Sequence, residues 1–463
     1  MLFSSLEFLY IFLPLTVVLY FLSPQRLKNT TLLLASLIFY AAGEPIYLFL
    51  MLFCIAINYI FGFLCDRERH RERFCKTALV IAIATNTAIL FFFKYFDFLA
   101  DSVPFLSPIG IALPLGISFY TFQALSYVAD VYKGETRPAH SILNFSTYLS
   151  LFPQLVAGPI VRYSDIDEAL TQREHNFSRA ADGLRRFSVG LAKKVLLANP
   201  AGEMFERMAL LGESENTVFG AWLGIVFYAF QIYFDFSGYS DMAIGLGKIF
   251  GFDFSENFNY PYISRSATEF WRRWHITLSS FFREYVYIPL GGNRRSAGRM
   301  YINLLAVWSL TGLWHGAAPN FLLWGLYYFA LLALEKAFLG RVLERAPKAL
   351  AHLYSIIAIL FGWVIFAADT IKGGAFSYFL RMLGVDATAF FGGSDAYELT
   401  RNAILLAIMI LASTPLPKKI FGRIFKSEGS RANTENLLAL TSFLLCTAKL
   451  VSSGYNPFLY FRF

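Results

Sequence analysis

The stretch that decides the fold is residues 302–315, which read Ile302-Asn303-Leu304-Leu305-Ala306-Val307-Trp308-Ser309-Leu310-Thr311-Gly312-Leu313-Trp314-His315. The run is apolar enough to lie in a membrane, yet it ends on an ionisable ring. An ionisable group at membrane depth is costly, so it usually faces a packed interior or a wet cavity and serves function. Gly312 and Gly316 form a small-xxx-small pair that lets another backbone or a thin acyl chain approach closely. His315 is therefore the first candidate functional residue.

A second histidine, His275, lies forty residues earlier on a cationic and aromatic background. Its surroundings read Phe270-Trp271-Arg272-Arg273-Trp274-His275-Ile276-Thr277-Leu278-Ser279. On a helix, Glu269 and Arg273 stand four residues apart and can pair. The pattern predicts an interfacial helix on the cytoplasmic side, with its aromatic residues at headgroup depth. Binding of lipid headgroups and docking of a phosphate-bearing donor are both compatible with this stretch.

The composition excludes a soluble enzyme. The chain is 56% hydrophobic and 16% charged, whereas soluble domains carry about 25% charged residues. Apolar runs of about 20 residues, enough to cross a bilayer as helix, recur along its length. The sequence therefore predicts an all-α polytopic membrane protein. The net charge of +8 resides mostly in short loops, as in cytoplasmic loops of membrane proteins, and does not indicate a nucleic-acid partner.

The order of apolar runs and basic loops gives a topology with both termini outside the cytoplasm. Two runs contain helix breakers, namely Leu113–Gln123 and Phe145–Ile160, and predict irregular segments around an internal space. Arg185, Arg186, Lys193 and Lys194 have a spacing that could pair with lipid phosphates. The four cysteines are scattered, so neither a metal site nor a disulfide framework is expected.

Two carboxylates, Asp235 and Asp241, flank Ser237-Gly238-Tyr239-Ser240 near the end of another apolar run. One interpretation is a helix break whose freed backbone amides are held by the carboxylates. The other is that one of them helps to position a substrate or a histidine. No Cys or His lies near enough in sequence to complete a metal-ligand set.

Several motifs together resemble the membrane-bound O-acyltransferase (MBOAT) family. They are Trp271 to Ser279, Ile288-Pro289-Leu290-Gly291-Gly292-Asn293, Leu313-Trp314-His315-Gly316, Phe152 to Ile160, and Phe234 to Asp241. The nearest branch is that of bacterial polysaccharide O-acetyltransferases of the alginate and peptidoglycan type. The resemblance covers most of the chain. It implies one domain over residues 1–463, built as a bundle of about 11–13 helices with re-entrant and interfacial segments around a central tunnel.

The resemblance also implies a chemistry. In the family the histidine of the intramembrane Trp-His-Gly motif, here His315, acts as a base, and imidazole suits that role because its pKa lies near working pH. His275 is implied to matter for activity, as donor positioner or as catalyst. The remaining candidates for the substrate and donor side are Arg272, Arg273, Trp314, Asp235 and Asp241.

The donor implied by the resemblance is acetyl-CoA, with no bound cofactor. The implied location is the bacterial inner membrane, among lipids that the basic loops would contact. Family systems include an extracytoplasmic partner with a serine esterase-like fold, which completes transfer to an exopolysaccharide or to peptidoglycan.

The last residues, 453–463, form an aromatic tail. One interpretation is an interfacial anchor. The other is a resemblance of Pro457-Phe458-Leu459-Tyr460 to the C-terminal motif of the small single-span protein that accompanies MBOAT members in teichoic acid D-alanylation. That resemblance makes Tyr460 a candidate acyl relay, although Phe461-Arg462-Phe463 departs from the motif.

Two other functions fit parts of the pattern. Broken spans, buried carboxylates and a central histidine also describe a proton-coupled secondary transporter, although the sequence shows no pair of matching halves. The same fold family also includes enzymes that acylate a lipid or a protein.

Overall fold

The computed structural model describes residues 1–101, 103, 106–209 and 216–459. Across these ranges the chain is helical, and the only β-pairing is one isolated bridge between Thr217 and Ala389. Six helices are long and apolar enough to cross a membrane, or seven if a bent pair counts as one span. The prediction of an all-α polytopic membrane protein is confirmed.

The first of two compact units comprises Met1–Leu191, Tyr239–Glu256 and Arg283–Tyr285. The first nine helices are α1 (Leu13–Leu22), α2 (Lys28–Ala41), α3 (Leu48–Arg67), α4 (Glu72–Ala100), α5 (Ile117–Lys133), α6 (Ile142–Ser150), α7 (Phe152–Leu155), α8 (Tyr163–Thr171) and α9 (Phe177–Ala192). Among them, α3 and α4 are candidate membrane spans.

The predicted irregular segments are found here in modified form. Pro114 and Gly116 precede α5 rather than interrupting it, and Gly116 takes φ +72° at its N-cap. A Cβ on Gly116 would lie 2.6 Å from the Leu155 carbonyl oxygen, so only glycine fits that position. The second segment is broken as expected, because the chain leaves helical geometry at Leu151, between α6 and α7.

The second unit comprises Ala192–Gly238, Asn257–Phe282 and Val286–Phe463, of which residues 210–215 and 460–463 are not described. A π-helical turn, Lys193–Ala198, leads from α9 into α10. The later helices are α10 (Asn199–Ala209), α11 (Val218–Ile249), α12 (Ala267–Arg273), α13 (Ile276–Phe282), α14 (Ala297–His315), α15 (Pro319–Leu334), α16 (Gly340–Arg345), α17 (Lys348–Phe366), α18 (Gly374–Met382), α19 (Gly393–Ala412), α20 (Leu416–Ile424) and α21 (Glu428–Ser452).

The helix α11 is the most buried candidate span. Inside the protein, 78% of its most apolar window is buried, against 6% for α21. It runs for 32 residues without interruption, through the whole Asp235–Asp241 stretch. The expected helix break at Ser237–Ser240 is therefore wrong. Gly238 and the serines are tolerated because buried packing, not local propensity, holds this helix.

Candidate active site

The helical hairpin α14–α15 places His315. The chain turns directly after His315, the last residue of α14, and Pro319 starts α15 as predicted. A Cβ on Gly312 would lie 2.4 Å from the Phe321 carbonyl oxygen. The glycine therefore serves close backbone approach between the two helices, one of the two uses that the sequence suggested.

The ring of His315 is enclosed by aromatic side chains. Its centroid lies 4.9 Å from Trp314, 4.9 Å from Trp324 and 5.2 Å from Phe366, and only 6% of the residue is exposed. His315 is the last residue of α14, and the carbonyl end of a helix favours a positive charge nearby. The ring therefore lies in an aromatic enclosure at the carbonyl end of a helix.

His275 is held in a different way. It separates α12 from α13 and takes φ +45°, a left-handed conformation that is unusual for a residue with a side chain. The residue is 1% exposed. The predicted single interfacial helix is therefore wrong, since the stretch forms two short helices that meet at His275. Residues in sparsely populated backbone conformations cluster at functional sites.

A hydrogen bond defines the tautomer of His275. Its Nδ1 lies 3.1 Å from Asn257 Oδ1, and the same oxygen accepts from the Thr277 backbone N–H at 3.2 Å and from Thr277 Oγ1 at 3.0 Å. Because a backbone N–H can only donate, that oxygen is an acceptor, and His275 Nδ1 must carry the hydrogen. The neutral ring then has its lone pair on Nε2.

The structure brings His275 and His315 together, although forty residues separate them in sequence. Trp314 contacts both rings, at 5.9 Å from His275 and 4.9 Å from His315. Burial lowers the pKa of His275 well below its usual value, and the nearby His315 lowers that pKa further. His275 is therefore neutral at neutral pH, which removes a charge that would oppose protonation of His315.

The aromatic residues of the His275 stretch are buried in protein, not arranged at headgroup depth. Trp271 and Trp274 are 8% and 4% exposed, and Trp271 packs on Trp308 and Trp324 at 4.7 and 5.4 Å. The expectation of an aromatic interfacial belt is wrong for these two residues. The Trp271 ring instead connects α12 to the hairpin that carries His315, whereas Trp274 packs on Trp363 of α17 at 5.0 Å.

The two arginines of this stretch differ. Arg273 pairs with Glu269 at 3.0 Å, as predicted, and donates to the Asn259 carbonyl oxygen at 3.1 Å. Arg272 is exposed, and no ion pair of Arg272 is found within the described ranges. Arg272 is therefore the better placed of the two for a phosphate group on an incoming molecule.

The buried carboxylate of Glu335 was missed by the sequence analysis. It accepts from the backbone N–H groups of Ala267 and Thr268 at 2.7 and 2.9 Å, from Thr268 Oγ1 at 2.6 Å, and from Tyr354 Oη at 3.1 Å. These bonds satisfy the first amides of α12 and hold it in place. An acidic residue directly after the apolar run of α15 was the available signal.

The predicted residue Asp235 is an ion-pair partner deep in the second unit. Its carboxylate lies 2.7 Å from Lys194 Nζ, and both side chains are 3% exposed. Its other oxygen accepts from the Leu459 backbone N–H at 2.8 Å. Lys194 is therefore not a partner for lipid phosphates, contrary to expectation.

Asp241 belongs to the other unit and has separate partners. Its Oδ1 accepts from Arg186 Nε at 2.9 Å and from a terminal Arg186 nitrogen at 2.7 Å. The same guanidinium binds Glu256 at 2.5 Å. Arg186 is thus also committed to protein carboxylates instead of lipid phosphates. The arrangement is a structural charge cluster of the first unit.

Two further predictions concern the tail and metals. Tyr460 lies outside the described residues, whereas its neighbour Leu459 is buried at 6% exposure. Within the described part of the chain, no group of three or more His, Cys, Asp or Glu side chains could hold a metal ion. The chemistry that the described residues offer is acid–base catalysis by two imidazoles in an aromatic enclosure.

Comparison with known proteins identifies the family. The model of the membrane-bound O-acyltransferase family matches residues 135–378. The "Probable alginate O-acetylase AlgI" of Pseudomonas aeruginosa is 39% identical, over 89% of this chain and 81% of the relative. Its namesake in Azotobacter vinelandii is 36% identical over the full length of both chains.

A relative with a different named substrate is also similar. The peptidoglycan O-acetyltransferase of Helicobacter pylori is 34% identical, over 84% of this chain and 81% of the relative. Alginate and peptidoglycan are the polymers in the names of those relatives. What these relatives share with this chain is the membrane-embedded fold and the acyl-transfer activity, and the chain belongs to the membrane-bound O-acyltransferase family, in its polysaccharide O-acetyltransferase branch.

Proposed function

We propose that this membrane O-acetyltransferase takes an acetyl group from cytoplasmic acetyl-CoA and delivers it across the membrane for O-acetylation of an extracytoplasmic polysaccharide. The observation that carries this proposal is the pair His275 and His315, buried together around Trp314. The family and the named relatives identify an O-acyltransferase, so the transporter alternative is dropped. The relatives' names favour a polysaccharide acceptor over a lipid or a protein.

His315 is the proposed general base. An acceptor hydroxyl attacks the thioester carbonyl carbon, and its proton passes to the His315 imidazole as the new C–O bond forms. The C–S bond then breaks, and the leaving thiolate takes up a proton to become the free thiol. The helix end at His315 stabilises the transient imidazolium, and the neutral state of His275 keeps a second positive charge away.

His275 and its neighbours would serve the donor side. The Asn257 bond fixes the orientation and the tautomer of the ring, with the lone pair on Nε2. Arg272, exposed beside this stretch, would bind a phosphate of the coenzyme. Glu335 would keep α12, which carries Arg272, at a fixed position.

The proposed acceptor hydroxyl is that of Tyr460, which follows the last described residue, Leu459, in sequence. In this proposal Tyr460 receives the acetyl group as a phenyl ester and passes it to the hydroxyl of an extracytoplasmic partner with a serine esterase-like fold. That relay divides a cross-membrane transfer into two shorter steps. An exopolysaccharide or peptidoglycan is the final acceptor. Because this polymer lies outside the cytoplasm, the proposal places the enzyme in the inner membrane with its C-terminal tail on the outer side.

Reconstitution of the purified protein tests the proposal. Vesicles with acetyl-CoA and the partner on opposite sides should show acetyl transfer to polymer. His315→Gln, in a protein that still inserts and elutes as a single species, should abolish it. Transfer that proceeds normally in the His315→Gln protein, or an absence of thioester turnover in the wild type, would overturn the assignment.

A further inference from the structure

The residues before Tyr460 are docked through polar contacts to α10 and to the turn that precedes it. Tyr455 Oη donates to Glu206 Oε1 at 2.9 Å. Asn199 Nδ2 donates to the Tyr455 carbonyl oxygen at 3.3 Å and to Asn456 Oδ1 at 3.2 Å. These contacts hold residues 455–459, which follow α21 and which we term the docked segment.

The inner end of the docked segment meets the Lys194–Asp235 ion pair. Lys194 Nζ donates to the Pro457 carbonyl oxygen and lies 5.7 Å from the centre of the Phe458 ring. Asp235 Oδ2 accepts from the Leu459 N–H at 2.8 Å, while its Oδ1 pairs with Lys194. Each member of the pair therefore binds both its partner and the docked segment.

This ion pair is unusual in its burial. Both side chains are 3% exposed, and a buried pair is tolerated only when further hydrogen bonds satisfy its remaining donors and acceptors. The docked segment supplies such bonds from its backbone. Lys194 also lies in the π-helical turn Lys193–Ala198, and π-helical turns are frequent at functional sites. If apolar packing alone anchored the docked segment, the buried charges of Lys194 and Asp235 would not be required.

The docked segment ends in the apolar core that surrounds the active histidine. Leu459 is 6% exposed and belongs to the same core cluster as Trp324 and Phe366. Those two rings contact His315 at 4.9 and 5.2 Å. The residue that follows Leu459 in sequence is Tyr460.

From these contacts we infer that the Lys194–Asp235 ion pair is a docking site for residues 455–459, and that docking of this segment is needed for efficient acyl transfer. The inference rests on the proposed function for the role of Tyr460, but docking itself does not. Lys194 and Asp235 are positioning residues in this scheme. They contribute by holding a backbone in place, not by touching the acetyl group.

A thiol at the end of the docked segment reports on docking. Leu459→Cys keeps the backbone N–H that Asp235 binds, and the four native cysteines are buried and so give little background. In the purified full-length protein, maleimide should label the introduced thiol slowly. Adding Lys194→Met should raise the labelling rate about tenfold or more, since the ion pair and its bond to Pro457 are lost.

Two further variants keep this test decisive. Lys194→Met/Asp235→Leu removes both charges, so no unpaired carboxylate is left buried and the variant is expected to fold. Its introduced thiol should also be labelled quickly. Arg431→Met removes an exposed ion pair on α21, in which the side chains of Arg431 and Glu435 are 48% and 32% exposed. In this control the introduced thiol should be labelled as slowly as in the parent. Slow labelling in the folded double variant would overturn the docking site.

Kinetics separate positioning from general damage. With acetyl-CoA and the polymer system, Lys194→Met should lower the kcat of polymer acetylation while the KM for acetyl-CoA stays within about twofold. Lys194→Arg, which keeps the charge, should recover part of the kcat. Fast labelling with unchanged polymer acetylation would overturn the positioning role. A wild-type protein without any acetyl transfer would instead overturn the proposed function and leave the docking result intact.

Discussion

The two histidines of the candidate active site are fixed by different means. His315 ends a regular helix and is held by ring packing against Trp314, Trp324 and Phe366. His275 takes a left-handed backbone conformation between two short helices, and Asn257 fixes its tautomer through a hydrogen bond. One ring is therefore neutral and fixed by a hydrogen bond, whereas the other is fixed by ring packing at the carbonyl end of a helix.

The largest effect should come from removing the proton acceptor. His315→Ala is expected to lower acetyl transfer by roughly 10²–10⁴-fold, the usual loss of general acid–base catalysis. Some stability should also be lost, because the ring that is removed packs against Trp324 and Phe366 and leaves a cavity. Initial rates of acetyl-CoA consumption, compared with thermal unfolding of the same preparations, measure both. Near wild-type turnover would show that His315 is not the base.

A smaller loss is expected at the locked ring. His275→Ala should lower kcat/KM by about a hundredfold, the effect of misplacing a reacting group by about 1 Å. The paired variant His275→Gly also lacks the ring, but glycine adopts the left-handed backbone conformation without strain. Both should be impaired to the same degree in rate, with His275→Gly the more stable by thermal unfolding. Recovery of activity in His275→Gly alone would show that backbone strain, not the imidazole, limits the alanine variant.

The sequence predicted what local patterns encode. The apolar run up to His315, the start of α15 at Pro319 and the Glu269–Arg273 pair all depend on residues within a few positions of one another, and the structure contains all three. The fold class followed from composition and run length in the same way. His315 was found because an ionisable residue is conspicuous in an apolar run.

Contacts between distant positions were not predictable in this way. Lys194 and Asp235 are far apart in sequence, as are Arg186 and Asp241, so the four charged groups suggested lipid binding and a helix break instead. Ser237 and Gly238 have low helix propensity, but burial of α11 outweighs it. Nothing near His275 in sequence indicates its left-handed conformation, which depends on Asn257 and on the packing of α12 and α13.

The hydrogen bond that locks His275 can be removed without touching the ring. Asn257→Ala should lower kcat/KM by about tenfold, because a lost buried hydrogen bond costs about 1–1.5 kcal/mol. The Thr277 N–H loses its acceptor as well, so stability should also fall. Asn257→Asp keeps an acceptor at the same place and should retain more activity than Asn257→Ala. Equal activity in the two variants would show that the tautomer of His275 has no part in the rate.

The smallest effect is on the pH dependence of stability, and it distinguishes the two rings directly. Burial lowers the pKa of His275 in the folded protein below that of the unfolded chain. Below the unfolded value of about 6.5, the unfolded state binds more protons than the folded state, so stability is lost as pH falls. The slope from one such group is at most about 1.4 kcal/mol per pH unit.

His275→Gln should therefore reduce the loss of thermal stability between pH 7 and pH 5 in a detergent-solubilised sample. His175 contributes in the same direction, since burial lowers its pKa to about 4, and His175→Gln is the matched control. Asp130, whose pKa burial raises to about 6, contributes with the opposite sign. Because His175 and Asp130 are unchanged in His275→Gln, the difference in pH dependence between wild type and variant isolates the contribution of His275. An identical pH dependence in the two proteins would mean that His275 is not held neutral, and the contrast between the two histidines would fail.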